Sequence, residues 1–161
     1  FFAHLDASLC AAPINAVLYV MNLRFEPNLT KEDESYLRSR LEEFNEPYTG
    51  PKNLDEFGFT VRDEGGTVVA GLAAVCIWEW VHINAVWVSD SLRGQGYGSA
   101  LLKAAEQEAL ERNRKHAMLH TFSFQARPFY ERHGYHLSGE LVNFPEGHSQ
   151  FKMFKDLNRE V

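Results

Sequence analysis

The sequence predicts an α/β domain built on a mixed β-sheet flanked by helices. Three observations carry this. Phe57-Gly58-Phe59-Thr60-Val61-Arg62 and Val68 to Ile77 are apolar, strand-like runs joined by Asp63-Glu64-Gly65-Gly66, a hairpin signal that implies antiparallel pairing. A third apolar run, Trp80 to Val88, passes through a glycine-rich turn directly into an amphipathic segment with Leu101, Leu102, Ala105 and Ala109 at helical spacing. Beyond it, strand-like stretches at 115–121, 135–140 and 150–155 follow a short helical segment around Tyr130. Strands interleaved with helices after an antiparallel hairpin make the whole read as α/β with a mixed sheet.

Taken in order, residues 1–20 are apolar but contain no Lys or Arg, so they lack the charged n-region of a secretion signal. They precede one domain over 21–161 as an N-terminal extension of open status: an appended extension, an upstream translated leader or an extra strand. Thr30-Lys31-Glu32-Asp33 supplies an N-cap and acidic residues suited to the positive end of a helix dipole. Leu37, Leu41 and Phe44 are expected to be its buried stripe, with the helix ending before Pro47 and a loop over Tyr48-Thr49-Gly50-Pro51-Lys52. In the strand 80–88, a period of two places His82 and Asn84 on the face of Val86 and Val88, unless a bulge shifts the alternation.

Composition narrows the function classes. The chain has 161 residues, 45% of them hydrophobic, and a formal charge of −6. That length suffices for one well-buried core. The negative charge disfavours nucleic acid and suits a cationic partner. Two cysteines, Cys10 and Cys76, are too few for a disulfide framework, which points to a reducing, cytoplasmic setting. No apolar run reaches the ~18 residues of a membrane span. His116/His120 and His133/His136 lack the accompanying carboxylates or thiolates of a metal-ligand set, so no metal is expected.

The turn Arg93-Gly94-Gln95-Gly96-Tyr97-Gly98-Ser99 is suited to an anion. Glycines let the backbone approach a ligand closely, the first helical amides are unpaired, and the helix dipole adds roughly half a positive charge there. A Walker loop would need a lysine before Ser99, and none is present. A dinucleotide fingerprint would need Gly-x-Gly-x-x-Gly and an acidic strand end, whereas the turn is Gly-x-Gly-x-Gly and the next strand runs His116 to Thr121. The remaining pattern, Arg-x-x-Gly-x-Gly over 93–98, resembles the pyrophosphate-binding motif of the GNAT superfamily of N-acetyltransferases. Ala126-Arg127-Pro128-Phe129-Tyr130-Glu131-Arg132-His133-Gly134-Tyr135 resembles that superfamily's second signature, Ala-x-x-Phe-Tyr-Glu-x-x-Gly-Tyr. The resemblance covers roughly 22–157 and is closest from 80 to 157.

This resemblance implies a GNAT-like sheet, mixed and splayed at its centre, with acetyl-CoA as cosubstrate and an amine as acceptor. It assigns the main chain around Val86, Trp87 and Val88 to the pantetheine and thioester, and Arg93, Gly94, Gln95, Gly96, Tyr97, Gly98 and Ser99 to the pyrophosphate. Tyr130 is implied as general acid, with a core aromatic as its other reading. His82 stands where family members place a catalytic Glu, and an imidazole with an ordinary pKa of ~6.5 suits proton removal near neutrality. A water relay through His82, Asn84, Glu79 or His120 serves equally, and His82 as a pocket-lining residue remains open. Ser123 occupies the family's Asn position, with Thr121 or Gln125 able to take over its pantetheine contact.

Tyr48, Glu42, Glu43 and Glu46 are candidates for acceptor contact, which would suit an aminoglycoside-like antibiotic, a polyamine or another small cation. The family also makes a homodimer with a shared acceptor pocket a natural expectation. A non-catalytic acyl-CoA-binding sensor on the same fold is the alternative to an enzyme.

Overall fold

The computed structural model describes residues 23–157; the N-terminal extension 1–20 and Cys10 lie outside them. The chain divides into two compact units at Gly50/Pro51.

Within the first unit, α1 spans Lys31–Thr49, and Thr30 caps it by accepting a 3.0 Å hydrogen bond from the Asp33 amide. The helix runs through Pro47 instead of stopping before it. A proline in the last turn removes one amide donor but leaves the following residues free to stay helical. The stop is Gly50, which takes φ 66° and donates its amide to the Glu46 carbonyl at 2.8 Å. Tyr48 and Thr49 are therefore helical, not part of a loop. The expected buried stripe is also corrected: Leu37, Leu41 and Phe44 are 58%, 60% and 44% exposed.

The second unit contains a six-stranded sheet ordered β1-β2-β3-β4-β6-β5. Its strands are β1 (Asp55–Arg62), β2 (Val68–Ile77), β3 (Trp80–Val88), β4 (His116–Phe122), β5 (His136–Val142) and β6 (Ser149–Asp156). A 3-10 turn at Asp90–Leu92 leads to α2 (Tyr97–Glu111), and α3 (Arg127–Arg132) connects β4 to β5. Only β3 and β4 are parallel neighbours; the other pairs are antiparallel.

One face of the sheet carries the core. Leu101, Leu102, Ala105 and Ala109 of α2 are buried with Leu72, Ala74 and Cys76 of β2, Val81 and Ile83 of β3, and Ala117 and Leu119 of β4. The small alanines let α2 approach the strands closely, while each buried leucine contributes about 1.5–3 kcal/mol. Tyr130 and Tyr135 close the same core at its α3 end, their rings 5.9 Å apart and roughly perpendicular.

Two irregularities in β3 position the site. The strand pairs with β4 only from Trp80↔His116 to Ile83↔Leu119, so among the described residues its second half has no strand neighbour on that side and the sheet splays. Against β2, Ile83 pairs with Ala74 and Ala85 with Ala73, leaving Asn84 as an unpaired bulge. The extra residue reverses the in–out alternation. Val81 and Ile83 face the core, and beyond the bulge Val86 and Val88 pack against the same core. His82 consequently lies on the opposite face from Val86 and Val88, which corrects the uninterrupted period-two expectation.

Candidate active site

The splay opens into a cleft of about 760 Å³ with three walls. Val86, Trp87 and Val88 of β3 form one. The turn after β3 and the start of α2 form the second, and Phe124 to Ala126 with Phe129, Tyr130 and Arg132 form the third. Because the second half of β3 lacks a β4 partner, main-chain hydrogen-bonding groups on that edge are left for a ligand.

The glycine turn braces itself with side chains and keeps its amides available. Arg93 Nη1 pairs with Asp90 Oδ1 at 2.8 Å, and its Nε donates to the Val88 carbonyl at 3.2 Å. Gln95 Nε2 donates to the Ser91 carbonyl at 2.7 Å. Gly94 and Gly96 take φ of 74° and 89°, where a Cβ would be strained although it would meet nothing within 4 Å. Conformation, not space, requires glycine at both. Gly98 differs: it has no positive φ, and a Cβ there would stand 3.4 Å from the Phe129 ring, at the edge of ordinary contact. Gly96 caps α2 without any side-chain hydrogen bond, leaving the first amides of a 15-residue helix directed outward beside Arg93.

Behind this turn, Ser99 Oγ is 2.9 Å from His133 Nε2, and His133 Nδ1 is 2.8 Å from the Phe129 carbonyl. A carbonyl only accepts, so Nδ1 carries a proton and donates to it, while Nε2 hydrogen-bonds with the Ser99 hydroxyl. The ring also packs 4.4 Å from Phe129. The pair ties the anion-binding end of α2 to the helix that bears Tyr130.

Of the residues singled out in the sequence, Val86, Trp87, Val88, Arg93, Gly94, Gly96, Tyr97, Gly98, Ser99 and Tyr130 line this cleft. Gln95 does not line it and is occupied with Ser91. Ser123 also lies off it: its Oγ accepts from the Ser149 amide at 3.2 Å and stands 3.3 Å from His148 Nδ1. Gln125 lines the cleft while its Oε1 accepts from the Phe122 amide at 2.9 Å and from Thr121 Oγ1 at 3.3 Å. Leu92, Phe124 and Arg132 are cleft residues that the sequence did not single out. The helical offset of three from Phe129 could have flagged Arg132; the 34-residue separation of Ser99 and His133 carries no local signal.

Tyr130 is buried, which raises its phenol pKa above the ordinary value and keeps it a proton donor at neutral pH. His82 does not line the cleft. It is half-buried on the far face, its ring 5.4 Å from His120 and nearly perpendicular to it. Burial lowers its pKa first, with the charges of His120 and Lys152 adding to the effect, so His82 is neutral and able to accept a proton at pH 7. His116 is engaged elsewhere, 2.7 Å from Asp156 and stacked on Trp80. In the first unit, Glu43 is paired with Arg40, and Tyr48 is exposed.

Comparison with known proteins agrees with this architecture. A model described as the acetyltransferase (GNAT) family matches residues 19–135. Blasticidin-S acetyltransferase of Streptomyces morookaense is 31% identical over 112 residues, which span 69% of this chain and 82% of that protein. An acetyltransferase of Agrobacterium fabrum is 29% identical over 129 residues, spanning 80% and 94% of the two chains. The crystal structure of an acetyltransferase from Bacillus cereus superposes with a TM-score of 0.78 at 31% identity, covering 85% of this chain and all of that one. Sequence and fold thus converge, and this chain belongs to the GNAT family of acetyltransferases.

Proposed function

We propose that the protein transfers the acetyl group of acetyl-CoA to a primary amine on a small cationic molecule. The observation that carries this is the placing of a braced glycine turn, the free end of β3 and Tyr130 around one cleft. Acetyl-CoA fits that arrangement chemically: the α2 amides and Arg93 suit its phosphates, and the unpaired β3 edge suits its amide-bearing arm. Bound there, it supplies an activated thioester.

The chain's own residues then have three tasks. Main-chain amides near Val86 and Trp87 polarise the acyl oxygen. Tyr130 stays protonated at neutral pH because burial raises its pKa, and its hydroxyl donates a hydrogen bond or its proton to the departing sulfur as negative charge develops there. His82, directly or through water, accepts the proton that the amine loses as its nitrogen bonds to the acyl carbon and the carbon–sulfur bond breaks. An amide and a free thiol result.

A small cationic acceptor is supported by the formal charge of −6 and by similarity to a relative named for acetylation of blasticidin S. The test is thiol release from acetyl-CoA against a panel of aminoglycosides, polyamines, nucleoside amines and N-terminal peptides, together with a melting curve. Ligand at ~100 times Kd adds about 2.7 kcal/mol of stability. A melting temperature unmoved by saturating acetyl-CoA removes the proposal.

A further inference from the structure

The cleft's third wall continues into an exposed layer of aromatic rings. Phe124 lines the cleft and is 58% exposed. Its ring lies 5.2 Å from that of Phe122 with the planes only 4° apart, and Phe122 stacks in turn on Phe144 at 6.4 Å. The His148 ring meets Phe124 edge-on at 4.9 Å. Phe144 is 52% exposed, so the layer opens to solvent beside the site instead of serving the core. Contiguous exposed apolar surface of this kind marks a binding face more often than a packing accident.

The loops that carry the rings are pinned by main-chain hydrogen bonds. The Ser123 amide donates to the Ser149 carbonyl at 2.8 Å, and the Gln125 amide donates to the Phe122 carbonyl at 2.8 Å. The loop bearing Phe144 is closed by its amide on the His148 carbonyl at 2.9 Å, by the His148 amide on the Pro145 carbonyl at 2.9 Å, and by the Gly147 amide on Asn143 Oδ1 at 2.7 Å. Little loop freedom is left to lose on binding, which favours a stacking platform.

We propose that Phe122, Phe124 and Phe144 form the wall that selects the acceptor, stacking on a planar unsaturated ring carried by the amine. This rests on the acetyltransfer function above and names its substrate class: an amine tethered to an aryl or heteroaryl group. Aromatic faces attract both planar rings and cations, so the wall suits a positively charged amine as well. Its continuity with the cleft through Phe124 is what assigns it to the acceptor and not to a separate partner.

The experiment compares 2-phenylethylamine with 2-cyclohexylethylamine, which present similar amines on a planar and a puckered ring. Thiol release gives kcat/KM for each, and calorimetry gives Kd for each without requiring turnover. The parent should favour the aryl amine by about 2–12-fold in Kd and kcat/KM, the range that ring stacking supplies beyond area burial. Phe124→Leu and Phe144→Leu should bring the ratio towards one, Phe124→Tyr should restore it, and Phe144→Leu, which lies off the cleft, should leave the KM for acetyl-CoA unmoved. A ratio of one in the parent, or an unchanged ratio in both leucine variants, overturns the assignment. So does a leucine variant whose only change is from dimer to monomer in sedimentation, since the wall would then be a contact between copies. If thiol release is absent with every amine while the Kd ratio still responds to Phe124→Leu, the acetyltransfer function has failed and the aryl-binding wall stands.

Discussion

Tyr130 and His82 occupy opposite faces of one sheet, and their surroundings differ in kind. Tyr130 is buried among Phe129, Tyr135 and the α2 core, where no charge helps an anion form. His82 is half-buried beside His120 and the cation of Lys152, where a second positive charge is disfavoured. Each environment stabilises the neutral form, which makes the tyrosine a donor and the histidine an acceptor. A reaction needing both has to reach across the sheet, and the loss of β3–β4 pairing beyond Ile83 supplies the opening.

Substituting each residue is the strongest way to break this contrast. Tyr130→Phe keeps the packing and removes the proton, so turnover should fall by a factor on the order of 10²–10⁴ with acetyl-CoA affinity nearly unchanged. His82→Ala should lower turnover chiefly near neutral pH and regain part of it at higher pH, where more amine is already deprotonated. An unaltered kcat in the first variant makes Tyr130 a packing residue. An unaltered pH–rate profile in the second moves the base elsewhere.

Gly96→Asp tests the anion-binding end of the Tyr130 face. The φ of 89° strains any side chain, and a carboxylate repels phosphate, so the roughly 2.7 kcal/mol that acetyl-CoA adds to the parent at ~100 times its Kd should be largely lost in a melting experiment. His133→Ala should act more mildly. Removing the hydrogen-bond partner of Ser99 costs about 0.5–1.5 kcal/mol, and because the link joins α2 to α3, the KM for acetyl-CoA and kcat should both worsen. His133→Gln, which can still hydrogen-bond with Ser99, should recover part of each.

The smallest expected effect is on the His82 face. Lys152→Met deletes one of the charges that lower the histidine's pKa. The folded-state pKa should rise towards the ordinary value, so His82 protonates at higher pH as acid is added. The acid limb of the kcat/KM profile then moves to higher pH while the plateau stays in place. A limb that does not move separates the titration of His82 from catalysis.

Local patterns made much of this legible. The hairpin turn, the glycine turn and the α2 stripe each lie within a few residues, and β3 falls at 80–88 as its apolar run indicates. Features that depend on a neighbour were not visible. Asn84 is an ordinary strand residue until its unpaired position between Ala73 and Ala74 of β2 is known. Ser123 matches a family position by spacing, yet its hydroxyl is taken by the start of β6. Gln95 sits in a binding motif while its side chain supports the turn. Pro47 marks a stop by local chemistry, but one missing donor near the helix end is too small a loss to enforce it. Phe122, Phe124 and Phe144 come together only because β4 pairs with β6 and β6 with β5.

The bulge at Asn84 has a further consequence for how this strand tolerates change in length. Its two ends follow opposite parity, odd-numbered residues inward before the bulge and even-numbered ones after it, so the count between them is part of the encoded information. Pairing the strand at its present length without the bulge would let the core claim either Val81 and Ile83 or the cleft-bordering Val86 and Val88, but not both, whereas deleting Asn84 would restore unbroken alternation with all four inward. A chimera joined to a relative inside this strand would inherit the same constraint. Its crossover has to preserve the frame of the strand as strictly as a splice preserves the frame of a coding sequence.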